Sequence, residues 1–134
     1  MISGLLGETL LSLKDSNGKT REAAFVLLLT MAEMQDLDSF IRLVTAAVAS
    51  KTTHMQSAAV VALSRLVFAY SDDLSVQSLL PSLLKTVLIL SDDPSREVAK
   101  SMVGFVRVAV VVIPPDQLQP LLPDILHGLS LIHI

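Results

Sequence analysis

The sequence predicts an all-α chain of about seven helices, arranged as antiparallel hairpins in a helical solenoid. Three observations carry that prediction. Apolar residues recur at three-to-four-residue spacing in long blocks, with almost none of the strict alternation a half-buried strand requires. Polar clusters of helix-ending character separate the blocks. The blocks themselves repeat at a period of about 40 residues, two helices to the unit.

The first predicted helix covers residues 3–13 and stops at Lys14-Asp15-Ser16-Asn17-Gly18, where Asn17 or Gly18 suits the left-handed residue that closes a helix. The second covers 19–34 and the third 38–50. Ser50-Lys51-Thr52-Thr53 then interrupts the pattern, and Thr53 with Gln56 reads as a capping box opening the fourth helix, 53–70. Ser71-Asp72-Asp73 precedes the fifth, 75–90. Ser91-Asp92-Asp93-Pro94 precedes the sixth, 95–113, and offers an aspartate N-cap with proline at the first helical position. Pro114-Pro115 ends that block, and the seventh helix runs over 115–129.

Two repeat registers are visible. The block from Gln77 to Lys85 matches the block from Gln119 to His127, with Pro81 and Pro123 in the same place, and Asp38 to Val44 falls into the same frame without the proline. These are expected to be first helices of successive hairpins. Arg21-Glu22-Ala23-Ala24, Gln56-Ser57-Ala58-Ala59 and Arg96-Glu97-Val98-Ala99 align as second helices, each with an alanine that lets its paired helix approach closely. A two-helix unit of this length is the HEAT or armadillo signature. Gly104 falls mid-helix, where it costs about 1 kcal/mol relative to alanine, so close packing against a neighbour is expected there. Phe68 and Tyr70 are expected to seal a seam between repeats.

Length allows one domain or one slice of a longer array: 134 residues. Hydrophobic residues make up 51%, charged residues only 17%, and the mean hydropathy is +0.63. A repeat slice explains that excess, because faces normally covered by neighbouring repeats are counted as surface. The apolar runs Phe25 to Leu29 and Val108 to Ile113 are far shorter than the roughly 18 residues a membrane span needs, so none is predicted. Cysteine is absent, which removes disulfides, thiolate metal sites and cysteine nucleophiles. Met1 to Glu8 lacks the basic region of a signal peptide, so no secretory leader is expected. The net charge of −3 and pI near 5.5 give no global attraction for nucleic acid.

Little in the sequence carries chemistry. His54, His127 and His133 lie far apart with no ligand at metal spacing beside them. Asp72-Asp73 and Asp92-Asp93 each stand before a helix, where aspartate caps free amides. Asn17-Gly18-Lys19-Thr20 ends like a phosphate-binding loop but lacks its upstream glycine and preceding strand. No catalytic, cofactor-binding or metal-binding residue is therefore expected, no small-molecule substrate either, and the chain reads as a non-enzymatic scaffold. Its candidate partner-facing positions are basic: Arg42 and Lys85, which share a repeat position with His127, and Arg21, Arg96 and Lys100 on the second helices.

Leu5-Leu6-Gly7-Glu8-Thr9, Leu13-Lys14-Asp15, Lys19-Thr20-Arg21, Thr53 to Ala59, Leu63-Ser64-Arg65-Leu66, Ser95 to Val98 and Gly104 to Val108 together give the chain a family likeness. It resembles the C-terminal HEAT region of the ribosomal RNA-processing protein 12 family, most specifically between Thr53 and Tyr70. The resemblance implies a nuclear and nucleolar factor in pre-ribosomal RNA processing, small-subunit maturation and export. It also implies pre-ribosomal proteins and pre-ribosomal RNA as partners of the full-length protein, and neighbouring HEAT repeats of the parent chain around this one. Family members are much longer, so the chain would be a fragment. Residues 1–129 would form the solenoid, and 130–134, where the family pattern stops, a non-native or disordered tail. The competing reading is a generic HEAT adaptor of nuclear-transport or phosphatase-scaffold type, which shares the repeats but not the Thr53 to Tyr70 block.

Overall fold

The computed structural model describes residues 2–93 and 95–131, and each helical block read from the sequence forms a helix. α1 (Ile2–Ser12) pairs with α2 (Gly18–Glu33), α3 (Leu37–Ala46) with α4 (Thr53–Ala69), and α5 (Leu74–Leu88) with α6 (Arg96–Val112); α7 (Pro115–Leu118) and α8 (Leu122–Ser130) follow. No strand occurs among the described residues. Tight 3-10 turns prolong α3 over Ala47–Ala49 and α5 over Ile89–Asp92.

The seventh predicted helix forms in two pieces. A 3-10 turn at Gln119–Leu121 divides α7 from α8. Pro120 and Pro123 each lack the amide proton that would continue the ladder, which is why one helix becomes two. α8 runs through Ser130 with Leu131 as its C-cap, and residues 132–134, including His133 and most of the predicted tail, lie outside the described residues.

The helix starts refine the sequence reading. Asn17 opens α2 rather than closing α1: its side chain accepts from Lys19 N at 2.9 Å, and no described residue has a positive φ. The Thr53–Gln56 capping box does not form, because Thr52 is the N-cap and its hydroxyl faces Ser50 Oγ instead of the helix. Asp73 caps α5 as expected, accepting from Ser75 N and Val76 N at 2.9 and 3.3 Å. At α6 the N-cap is Ser95, which accepts from Val98 N, while Asp93 accepts from Ser95 N one step earlier. Pro94 lies outside the described residues.

Two rows of helices pack face to face. One runs α3, α5, α8; the other has α4 against α6 as its closest pair. The sequence register placed α2 in line with α4 and α6, but α1 makes the larger contact with α4. Burial gives the reason. α1 and the turn after it bury Leu6, Leu10 and Leu13, whereas α2 buries Leu28 and Met31 but leaves Val26 58% exposed, and its Ala24 lines a groove against α1. α4 is the central helix, touching α1, α3 and α6 and burying Ala58, Ala59, Val60, Ala62, Leu63, Leu66 and Val67. The large residues sealed with it are Phe40, Ile41, Leu80, Leu84, Met102 and Phe105. Each removes enough apolar surface from water to contribute about 1.5–3 kcal/mol before ordering costs.

Two packing expectations change. A Cβ on Gly104 would meet nothing within 4 Å, so that glycine does not serve a close approach; a Cβ on Gly128 would fall 2.8 Å from Ser91 Oγ and 2.9 Å from Leu88 Cδ2, so Gly128 does. Phe68 is 70% exposed and seals no seam, although Tyr70 is half-buried. Leu74–Ser91 is long and apolar enough by composition to cross a membrane, despite the short runs noted above. In this fold its Val76, Leu80, Leu83, Leu84 and Val87 form a buried face, and α5 packs on α3, α6 and α8.

Candidate functional site

The N-terminal turns of α4 and α6 lie side by side, and the chain just after α1 reaches across both. That places Lys14, from the turn closing α1, between Ser57 on α4 and Glu97 on α6. Lys14 Nζ donates to Ser57 Oγ and pairs with Glu97 Oε2. The same carboxylate oxygen lies 2.6 Å from His54 Nδ1, and Ser57 Oγ donates to the Glu97 backbone carbonyl at 3.3 Å. The hydrogen bond from Lys14, helped by the one with His54 and by both positive charges, holds the Glu97 carboxyl below the ordinary glutamate range; partial burial opposes this. The node thus ties three helices together through a single carboxylate.

Beside it opens a groove of about 480 Å³ lined by Lys14, Ser57, Val61, Glu97, Lys100 and Ser101. Its floor is small and polar, since Ser57 and Ser101 are buried, and Ser101 Oγ donates to Val98 O at 2.8 Å. A second groove of about 360 Å³ lies between the end of α5 and α8, lined by Lys85, Leu88, Ile89, Ser91, Asp124, His127, Gly128 and Leu131. Among the described residues, no three histidine, aspartate or glutamate side chains converge as a metal set would.

The five basic positions picked from sequence scatter over these surfaces. Arg21 is turned back on its own hairpin, donating to the carbonyls of Asp15 and Ser16 at 2.7 and 3.1 Å. Arg42 pairs with Asp38 one turn away on α3. Lys85 and His127, its repeat mate, both line the α5–α8 groove. Arg96 and Lys100 stand exposed one turn apart on α6, with Lys100 on the rim of the larger groove. What the sequence reading missed is the Lys14–Glu97–His54 node: its members are separated by 83 and 43 residues, and no local pattern marks them.

At the other end of α4, Tyr70 has its phenol pushed above the usual value by burial and by the Glu33 carboxylate at the end of α2. Arg65, one turn and a half earlier, lies over the Phe25 ring at 5.2 Å, a cation–π contact that anchors α2 to α4.

Comparison with known proteins adds the relationship. The chain is 31% identical over 140 aligned positions to ribosomal RNA-processing protein 12 of Schizosaccharomyces pombe, covering 96% of this chain. It is 26% identical to ribosomal RNA-processing protein 12 of Saccharomyces cerevisiae over 90% of its length, and 30% identical to the RRP12-like protein of Homo sapiens over 84%. The chain spans only 12% of the length of the two yeast relatives and 9% of the human one. No family model matches the chain. No solved structure matches it. Over nearly its whole length, the chain is homologous to one segment of the ribosomal RNA-processing protein 12 family.

Proposed function

We propose that the chain is a panel of a non-enzymatic helical-repeat scaffold that serves ribosomal RNA processing. The observation that carries this reading is the match over 96% of the chain to a protein named for that process. The geometry supports the scaffold part. The chain offers helix faces and shallow open grooves, and its polar side chains are spent on caps and on joining helices.

On this reading the protein works in the nucleus and nucleolus, in small-subunit maturation and export. Pre-ribosomal proteins and pre-ribosomal RNA are its partners in the longer protein, together with adjacent HEAT repeats. Affinity capture from nuclear extract, with the tagged chain as bait, tests it. Enrichment of pre-ribosomal RNA and small-subunit proteins is the expected result. Recovery of transport receptors or phosphatase subunits without ribosomal precursors would replace it with the generic adaptor reading.

A further inference from the structure

The outward faces of α4 and α6 carry a charge pattern opposite to that of the chain as a whole. On α4, His54, Val61, Arg65 and Phe68 follow one another at helical spacing and so share one face. On α6, Arg96, Lys100, Val103, Arg107 and Val111 do the same. Val61 and Lys100 line one groove, which makes the two stripes a continuous surface. Arg65, Arg96, Lys100 and Arg107 are exposed. α4 contains no acidic residue, and the only one on α6 is Glu97, which Lys14 and His54 already engage. The rest of a chain of net charge −3 therefore bears the excess of acid.

Apolar side chains are set among these cations. Phe68 is 70% and Val111 79% exposed, while Val61 and Val103 are half-buried between the charged positions. We infer that the α4–α6 face is a docking surface for an acidic segment of a partner protein, one that presents carboxylates interleaved with aliphatic side chains. Carboxylates would meet Arg96, Lys100 and Arg107, and aliphatic groups would cover Val61, Val103, Phe68 and Val111. The pattern favours such a segment over nucleic acid on two grounds. A base can stack on Phe68, but a nucleic acid, with its hydrophilic phosphodiester backbone, would leave the aliphatic Val61, Val103 and Val111 without partners. A long polyanion would also overrun the face onto the acidic remainder of the chain, whereas a short segment stays within it.

The inference deepens the scaffold reading by naming a partner's chemistry. It is tested on this chain alone, so its failure is separable from the outcome of the capture experiment. The measurement is fluorescence anisotropy of the 134-residue chain with a labelled synthetic peptide bearing glutamates and leucines at helical spacing. A glutamine-for-glutamate counterpart and a labelled single-stranded RNA are run beside it. The acidic peptide is expected to bind, more weakly as salt rises, and the glutamine peptide at least about tenfold more weakly. Reversing two rim charges, Lys100→Glu with Arg107→Glu, should lower affinity by about tenfold or more, and Phe68→Ala by several-fold. Lys19→Glu, at the exposed start of α2 and outside both stripes, should leave it unchanged. If the double reversal loses its helical circular dichroism, Lys100→Gln with Arg107→Gln decides the matter, with a smaller loss expected. Equal binding of acidic and glutamine peptides, no binding of either, or indifference to the α6 substitutions would overturn the proposal. RNA binding abolished by the same substitutions, without peptide binding, would assign the face to nucleic acid instead.

Discussion

His54 Nδ1 and Lys14 Nζ converge on the same oxygen of Glu97, so one carboxylate on α6 holds the start of α4 and the end of α1. Since α4 contacts more of the other helices than any single hairpin partner does, this node fixes the junction between the first hairpin and the rest of the array.

Glu97→Gln keeps the shape but removes the charge. It is expected to lower stability by about 1 kcal/mol, less than the roughly 1.5–3 kcal/mol of a buried charge-assisted hydrogen bond, because the Glu97 side chain is 33% exposed. The pH dependence follows from the sign of the shift. A carboxyl held low in the folded state stabilises that state above its unfolded value, near 4.5, and the contribution is lost as pH falls through the lowered folded value. Urea unfolding at neutral pH and again well below pH 4.5 should show the gap between the native chain and Glu97→Gln closing in acid. A gap that persists or widens in acid would contradict the assignment.

Gly104 and Gly128 predict opposite responses to the same change. Gly104→Ala enters open space in the middle of α6 and should stabilise by up to about 1 kcal/mol through helix propensity. Gly128→Ala drives a methyl into Ser91 Oγ and Leu88 Cδ2. Ser91 cannot turn aside freely, because its hydroxyl is buried, bonded to Leu88 O and set against Met102 Sδ. A loss of about 1 kcal/mol or more is expected. Thermal unfolding of the two variants should move the midpoint in opposite directions.

Asp73→Ala removes the N-cap of α5, leaving the amides of Ser75 and Val76 without their side-chain acceptor. The loss should be about 1 kcal/mol, whereas Asp73→Asn, which can still cap, should recover most of it. Hydrogen exchange at the first turn of α5 reads this out directly. Unchanged protection in Asp73→Ala would show that the cap is not what orders that turn.

Phe105→Ala empties a fully buried site on α6 and should cost about 3–5 kcal/mol. Phe68→Ala, at a side chain that is mostly in solvent, should cost under about 0.5 kcal/mol. The contrast in denaturant midpoint tests which of the two aromatics belongs to the core.

The helices and the cap at Asp73 were legible in the sequence because both are local: a helix is set by the spacing of its own apolar residues, and a cap by the residue preceding it. The repeat register picked out Ala59 and Ala99, both of which are buried, and Lys85 and His127, which line one groove, because stacked repeats bring equivalent positions onto the same row. It failed at the first hairpin. There the alignment followed the Arg-Glu-Ala-Ala pattern of α2, while packing followed the buried leucines of α1. Gly104 and Gly128 look alike in sequence, and only the distance to the neighbouring helix distinguishes them. The Lys14–Glu97–His54 node was invisible for the same reason. Its members are common surface residue types whose meeting depends on how the hairpins stack.

The central claim is that this chain can serve as a segment of a ribosomal RNA-processing scaffold, and a segment exchange tests it most directly. In Schizosaccharomyces pombe, the matching segment of ribosomal RNA-processing protein 12 is replaced by this chain, with an unrelated helical repeat of equal length as control, and precursor ribosomal RNA is quantified. The account predicts precursor levels near those of the unaltered strain with this chain and accumulation with the control. Accumulation of precursors to the same extent with both would contradict it.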